Sequence, residues 1–427
     1  MSKAKKSILN RRSFMQSAVA TGAAAAIITR SHAANDQVPE GPALKIGVVG
    51  CGGRGTGAAV NALESAPNIQ IVALADVFQD RIDRARQQLK ERGQTIEDKR
   101  CFAGFDSYQK VIDSDIDYVI LATPPHFRPE HFAFAVEVGK NVFIEKPVAV
   151  DSYGINSMFA SAQKSEQKDM SVVAGTQRRH QKEYLETYRR IADGAIGDIV
   201  ATRGYWNMGA LWYREPTPEW NEMEYMIRDW VNWSWLSGDH IVEQHVHQID
   251  VIHWFTGMNP VKAVGMGARM RRATGDQFDF FDVDFEHADG TRFHSMCRQI
   301  NGCANNISEF VVGTKGSSNC YNQIYDSNGK LAWKYEGEKS EPYVAEHTDL
   351  VRAIRTGKPI NEARQVTEST LTGILGRQSA YTGQEVSRDE LLKSNFRLGP
   401  TDYAWGDVAI NQSVPVPGRP PSGPKAI

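Results

Sequence analysis

The chain has 427 residues, 41% of them hydrophobic and 23% charged, with a formal net charge of -2. That length can bury more than one core, which predicts two domains plus extensions. The near-neutral balance offers no field for a polyanion, so nucleic acid and an acidic membrane surface are excluded as partners and small-molecule chemistry is expected.

Residues 1–34 differ from the rest. Lys3, Lys5, Lys6, Arg11 and Arg12 precede an alanine-rich stretch from Ala18 to Ile28 and then Ser31-His32-Ala33, the order of a basic n-region, an apolar h-region and a small-residue cleavage site. Asn10-Arg11-Arg12-Ser13-Phe14-Met15 resembles the twin-arginine export signal of bacteria, which implies a mature start near Ala34 and a periplasmic location. No later segment is long and apolar enough to span a bilayer, so no membrane association is expected once the signal is removed. Cys51, Cys101, Cys297, Cys303 and Cys320 are odd in number and lack C-x-x-C spacing, which suggests neither a zinc knuckle nor a disulfide framework. One bridge among the last three stays open in an oxidising compartment.

Ile46 to Val49 is an apolar run that breaks into Gly50-Cys51-Gly52-Gly53-Arg54-Gly55 before Ala58, Val60 and Leu63 continue at helical spacing. Gly50, Gly52 and Gly55 fit G-x-G-x-x-G, in which the first glycine turns the chain, the second admits a pyrophosphate and the third lets helix pack on strand. Gly53 and Arg54 lie within the same turn. The next predicted strand, Ile69 to Ala75, ends in Asp76, an acid placed to accept hydrogen bonds from an adenosine ribose. A carboxylate there repels a 2′-phosphate, so NAD is expected rather than NADP, although Arg54 and Arg81 are within reach of one.

A helix from Gln79 to Arg92 and another near Tyr108 to Asp113 lead to a strand, Asp117 to Ala122, that stops at Thr123-Pro124-Pro125-His126. A helix from Pro129 to Val138 then precedes the strand Asn141 to Ile144, ending in Glu145-Lys146-Pro147. Strand and helix alternating at this spacing predict an α/β doubly wound parallel sheet over residues 35–165. From residue 166 to 395 the texture becomes longer strands, among them Ile199 to Met208 and Phe278 to Glu286, followed by two helices between His347 and Gly383. The alternation of Phe281, Val283 and Phe285 predicts a mixed or antiparallel sheet with one solvated face. Residues 396–427 form a proline-rich tail without the periodicity to fold alone.

The glycine turn, the Thr123-Pro124-Pro125 loop, Glu145-Lys146-Pro147 and the stretch from Gly238 to Gly257 together resemble the Gfo/Idh/MocA oxidoreductases, a family that includes inositol dehydrogenases and glucose-fructose oxidoreductase. The resemblance covers residues 44 to 390. It implies a Rossmann domain, an α+β second domain with an open sheet, a homo-oligomer (dimer or tetramer), and hydride transfer between NAD and a secondary alcohol of a sugar or polyol. It implies that Gly50, Gly52, Gly53, Arg54, Gly55, Asp76, Thr123, Pro124, His126, Glu145 and Lys146 face the cofactor. Lys146, held at a strand end, would hydrogen-bond or relay a proton at the hydroxyl being oxidised.

In Asp239-His240-Ile241-Val242-Glu243-Gln244-His245-Val246-His247 the resemblance makes His247 the general base, with Glu243 four residues before it on one helical face. The family usually has Asp and Gly where this chain has Glu243 and His245. If the segment were extended, Glu243, His245 and His247 would form a metal-ligand set; the helical spacing of Ile241, His245, Ile249 and Ile252 argues for a helix instead, and no metal is expected. Asp250 is placed either to orient the His247 ring or to end a salt bridge.

Six of the nine tryptophans fall between Trp206 and Trp235. Flat rings stack on sugar faces, so Trp206, Trp233 and Trp235 are expected substrate contacts; the resemblance adds Arg178 and Arg179, which follow a strand where the family places such contacts, and His245 beside the base. The alternative for this segment is an insertion packing on a partner subunit. A second enzymatic outcome is also open: some relatives oxidise a sugar on held NAD, eliminate its glycosidic substituent and restore the hydride, although they commonly lack the lysine of Glu-Lys-Pro. Sequencing the amino terminus of exported protein is expected to start near Ala34; an intact Met1 on periplasmic material would refute cleavage.

Overall fold

The computed structural model describes residues 38–419; the expected export signal and residues 420–427 lie outside them. β1 (Leu44–Val49), β2 (Ile69–Asp76), β3 (Cys101–Ala103), β4 (Tyr118–Leu121), β5 (Asn141–Ile144) and β6 (Val172–Ala174) form a parallel sheet in the order β3-β2-β1-β4-β5-β6. β4 and β6 are buried at every residue because helices cover both faces, which is why these strands read as unbroken apolar runs. Alternate side chains feed opposite layers: Val119 and Leu121 enter one apolar cluster, Tyr118 and Ile120 the other. The strand order reverses between β1 and β4, which opens a crevice at their carboxyl ends.

The glycines at that crevice are there for contact reasons. Gly50 has φ +97°, and a Cβ on it would collide with the backbone of Ala122 and Thr123. A Cβ on Gly55 would collide with the carbonyl oxygen of Gly50, so the helix Gly53–Ser65 can seat on the turn only with glycine there. Gly53 has no atom within 4 Å of its Cβ position.

The first sheet runs past residue 165, the boundary expected from sequence texture. The helix Ser152–Gln167 is the crossover that delivers β6, and β6 itself is only three residues long. Among the described residues the second sheet has nine strands. They are β7 (Ile199–Met208), β8 (Lys262–Ala268), β9 (Phe280–Glu286), β10 (Arg292–Gln299), β11 (Asn306–Gly313), β12 (Gly316–Ser318), β13 (Gln323–Asp326), β14 (Leu331–Lys334) and β15 (Val386–Ser387), in the order β14-β13-β12-β11-β7-β10-β9-β8-β15. The pair β7 and β10 is parallel; the other pairs are antiparallel. Phe281, Val283 and Phe285 are buried under the helix Ala363–Thr382, while Val264 and Met266 of β8 are exposed. The helix Pro342–Thr356 returns to the first domain and packs on the helix Gly53–Ser65, and Asn361 pairs with Val172.

One local expectation is corrected. The single helix expected after Asp239 is broken into His240–Glu243 and Val246–Thr256: the N–H groups of both Gln244 and His245 donate to the carbonyl of His240, which inserts a residue at the break. Over its described residues, 396–419, the tail has no helix or strand and lies on its own chain. The Leu398 N–H donates to Asp151 at 2.7 Å, Tyr403 Oη meets His126 Nε2 at 2.8 Å, and the Met223 N–H donates to the Gly406 carbonyl at 3.0 Å.

Gly55→Ala is expected to cost roughly 1–3 kcal/mol of stability by overpacking the turn, whereas Gly53→Ala, with open space around it, stays near wild type. Chemical denaturation of the two variants checks the contrast; equal midpoints would show that the turn has room to relax.

Candidate active site

A cavity of about 580 Å³ follows the carboxyl edge of the first sheet from Asp76 across Gly50, Gly52, Gly53, Arg54 and Gly55 to Thr123 and Pro124. Gly53 leaves its side of it open, and the empty space beside bare backbone N–H groups at a helix start fits a pyrophosphate. Asp76 is buried and already engaged: Oδ2 accepts from the Cys51 N–H at 2.8 Å and Oδ1 from the Phe78 N–H at 3.0 Å. Burial pushes its carboxyl up from the usual range. Each oxygen keeps a lone pair for a ribose hydroxyl. Arg81, which the glycine pattern does not reveal, lies over the turn with Nη1 3.4 Å from the Cβ position of Gly52. His126 is not on the cavity wall; its ring is turned onto Tyr403 and Trp235 because the tail crosses there.

Along the same edge, β5 follows β4, so Glu145 and Lys146 continue the line beyond Thr123. Arg128 fixes this loop: Nη1 donates to the carbonyls of Glu145 and Pro147, the former at 3.0 Å. Lys146 Nζ donates to Glu243 Oε1 at 2.9 Å and to the Glu243 carbonyl at 2.7 Å, which joins the first domain to the short helix His240–Glu243. Gln244 holds the other carboxylate oxygen of Glu243. His247 stands beside this pair. Burial, followed by the charges of Lys146, Arg178 and Arg54, drives its proton affinity well below 6.5, so the ring is a neutral base at physiological pH. Trp206 stacks on it with centroids 5.7 Å apart and planes at 24°.

The expected substrate wall divides. Arg178 lies over the Trp206 ring at 5.8 Å and pairs with Glu309 at 2.9 Å, so both residues flank His247. Arg179 instead closes a two-point ion pair with Asp250, at 2.7 and 3.0 Å, and Asp250 therefore ends a salt bridge. His245 is fully buried, with Nε2 2.7 Å from Ser295 Oγ and its proton affinity pushed by burial to about 3. The inserted residue at the helix break turns this imidazole into the core, away from Glu243. Trp233 and Trp235 pack with Met223, Met226 and Phe127 in an apolar cluster, because the insert needs a core of its own. Trp212 and Trp230 are the tryptophans that reach the cavity, which they line together with Asp76 and Arg81. Among the described residues no group of three or more His, Cys, Asp or Glu could hold a metal ion, and all five cysteines are free thiols.

Residues 44–173 match the family model described as "Oxidoreductase family, NAD-binding Rossmann fold", and residues 184–319 match the GFO/IDH/MocA C-terminal domain. The chain is 24% identical to a scyllo-inositol 2-dehydrogenase (NAD(+)) of Bacillus subtilis over 81% of its own length and 96% of that protein's. It is 26% identical to a glycosyl hydrolase family 109 protein of Bacteroides thetaiotaomicron, over 77% of its own length and 69% of that protein's. The fold matches scyllo-inositol dehydrogenase from Lactobacillus casei, solved with bound NAD(H) and scyllo-inositol, with TM-score 0.61, 21% identity, and coverage of 81% of this chain and 99% of that one.

Behind the site, Arg54 pairs with Glu145 and, at 3.1 Å, with Glu346 of the helix Pro342–Thr356. Deeper in, His180 sits between Asp349 at 2.7 Å and Glu362 at 3.3 Å. Burial opposes the imidazolium, but the two carboxylates prevail and its proton affinity rises well above 6.5. A raised folded value means that the stabilisation is complete below pH 6.5 and fades as pH rises through that value. The Tm deficit of His180→Asn is therefore expected to be largest on the acid side and to shrink with rising pH. A deficit independent of pH would show that the ring acts there by packing alone.

Proposed function

Because the chain belongs to the Gfo/Idh/MocA oxidoreductases, we propose that it transfers hydride between NAD and a secondary alcohol of a sugar or polyol. The observation that carries this reading is the convergence of Lys146, Glu243 and His247 at the end of β5, next in line to the nucleotide-shaped cavity. Bound NAD supplies the hydride acceptor at the nicotinamide ring. The protein handles the proton. His247, neutral and beside a cationic Lys146, takes the hydroxyl proton, and the protonated ring is afterwards neutralised by exchange with solvent. Lys146 uses two of its three N–H donors on Glu243, which leaves the third for the substrate oxygen and stabilises developing negative charge there. Glu243 holds that ammonium in place, and Trp206 offers a flat face beside the base.

Export by the twin-arginine route to the periplasm is part of the same reading, supported by the basic, apolar and small-residue order of residues 1–34. That route carries folded proteins, which suits an enzyme that takes up its nucleotide in the cytoplasm. Assembly through the second sheet is supported by the exposed Val264 and Met266 of β8. The likeness to family 109 glycosyl hydrolases supports a second outcome at the same residues, oxidation followed by elimination and return of the hydride. Release of phenol from aryl glycosides without added NAD, and with no net reduction of cofactor, would select it.

With scyllo- or myo-inositol and simple aldoses as a substrate panel, Lys146→Met and His247→Ala are each expected to lower kcat/KM roughly 10²–10⁴-fold. Wild-type turnover by either variant would remove that residue from the mechanism. The acid limb of the kcat/KM profile is expected below pH 6.5, since burial and three neighbouring cations keep His247 deprotonated there. A limb at or above 6.5 would point to a different base.

A further inference from the structure

The adenosine end of the cavity is lined by chain that lies outside the first domain. Trp212, Arg214 and Trp230 come from the insert after β7, and Tyr403 comes from the tail; all four share the cavity with Asp76 and Arg81. Over their described residues neither segment hangs free. In the insert the Arg214 N–H donates to Asp229 at 2.8 Å, its Nε to the Arg228 carbonyl at 3.1 Å, and Asn232 Nδ2 to the Trp212 carbonyl at 3.3 Å. The insert is bound to the tail through Met223 and Gly406, and through the Gly406 N–H on Asn221 Oδ1 at 3.1 Å.

Both segments are also fastened to the turn that follows β2. Arg228 lies 3.9 Å over the Phe78 ring and pairs with Asp80 at 3.1 Å, while Trp405 meets Phe78 at 5.7 Å and Phe105 at 4.9 Å. In the tail, Gly399 has φ +81° and passes so close to Trp235 and His126 that no side chain fits. The tail is thereby held where Tyr403 can bond His126.

A ribose on Asp76 would share its cavity with these rings, which stand free to meet the attached base. Trp212 is 45% exposed although it borders a cavity, and it meets Trp230 edge-on at 6.3 Å. A large ring left half in water at the mouth of a cavity gains contact when a flat ligand slides under it.

We propose that the insert and the tail form a two-part clamp on the adenine ring, so that the nucleotide leaves only when the clamp parts. The inference rests on a dinucleotide occupying this cavity, and it assigns the adenine contacts to residues outside the Rossmann domain. It predicts a cofactor that dissociates slowly and whose adenosine half carries the slow step.

The test uses the full-length protein and NADH, whose fluorescence is excited through nearby tryptophans. After loading, NADH is chased with excess NAD and its release is followed by stopped flow. In Trp212→Ala and in Tyr403→Ala release is expected to quicken about tenfold or more, as when one aromatic face is taken from a stacked base; Trp212→Phe, which keeps a ring, restores most of the retention. Nicotinamide mononucleotide, which lacks the adenosine half, should bind wild type and variants alike, whereas ADP-ribose should follow NADH. If folded Trp212→Ala and Tyr403→Ala release NADH at the wild-type rate, or if both weaken nicotinamide mononucleotide equally, the clamp is wrong. If wild type takes up no NADH at all, the dehydrogenase reading itself fails.

Discussion

The ion pair between Lys146 and Glu243 joins the two halves of the molecule at the point where chemistry would occur. Lys146 ends a strand edge of the first domain, and Glu243 closes a one-turn helix of the second. Both side chains are nearly out of water, so neither tolerates loss of the other without leaving a buried charge unpaired. The rest of the local structure can be understood as support for that contact. Arg128 grips the loop carrying the lysine, and Gln244 occupies the carboxylate oxygen that the lysine leaves free. The inserted residue at the helix break lets His247 approach the same point while His245 turns to Ser295.

Most of the first domain was legible along the chain because its signals are local. Apolar runs covered on both faces, helical spacing between them, and glycines that cannot carry a Cβ all act within a few residues of one another. The helix break was not legible. Glu243 and His247 are four apart in sequence, and nothing in the residue types announces the extra residue that separates their helices; it is set by where His245 finds a hydroxyl, on a strand fifty residues later.

The tryptophans misled for a similar reason. Their density pointed to sugar stacking, yet Trp233 and Trp235 are the core of the insert, and Trp212 and Trp230 border the nucleotide cavity. Composition identifies a segment with apolar faces to cover, and only the fold shows what covers them. Arg179 shows the same limit: its place after a strand suggested a ligand contact, but its partner, Asp250, is drawn in by the helix Val246–Thr256.

The parallel pairing of β7 with β10 has a consequence for how the molecule comes into being. The two strands lie side by side at the centre of the second sheet, yet the insert, the helices carrying Glu243 and His247, and the hairpin of β8 and β9 are all threaded between them. Such a high-contact-order pair closes late, after a long loop has lost its freedom. The wall carrying Glu243 and His247 and the sheet that backs it should therefore form together near the end of folding, and a chain stalled before that step would carry neither.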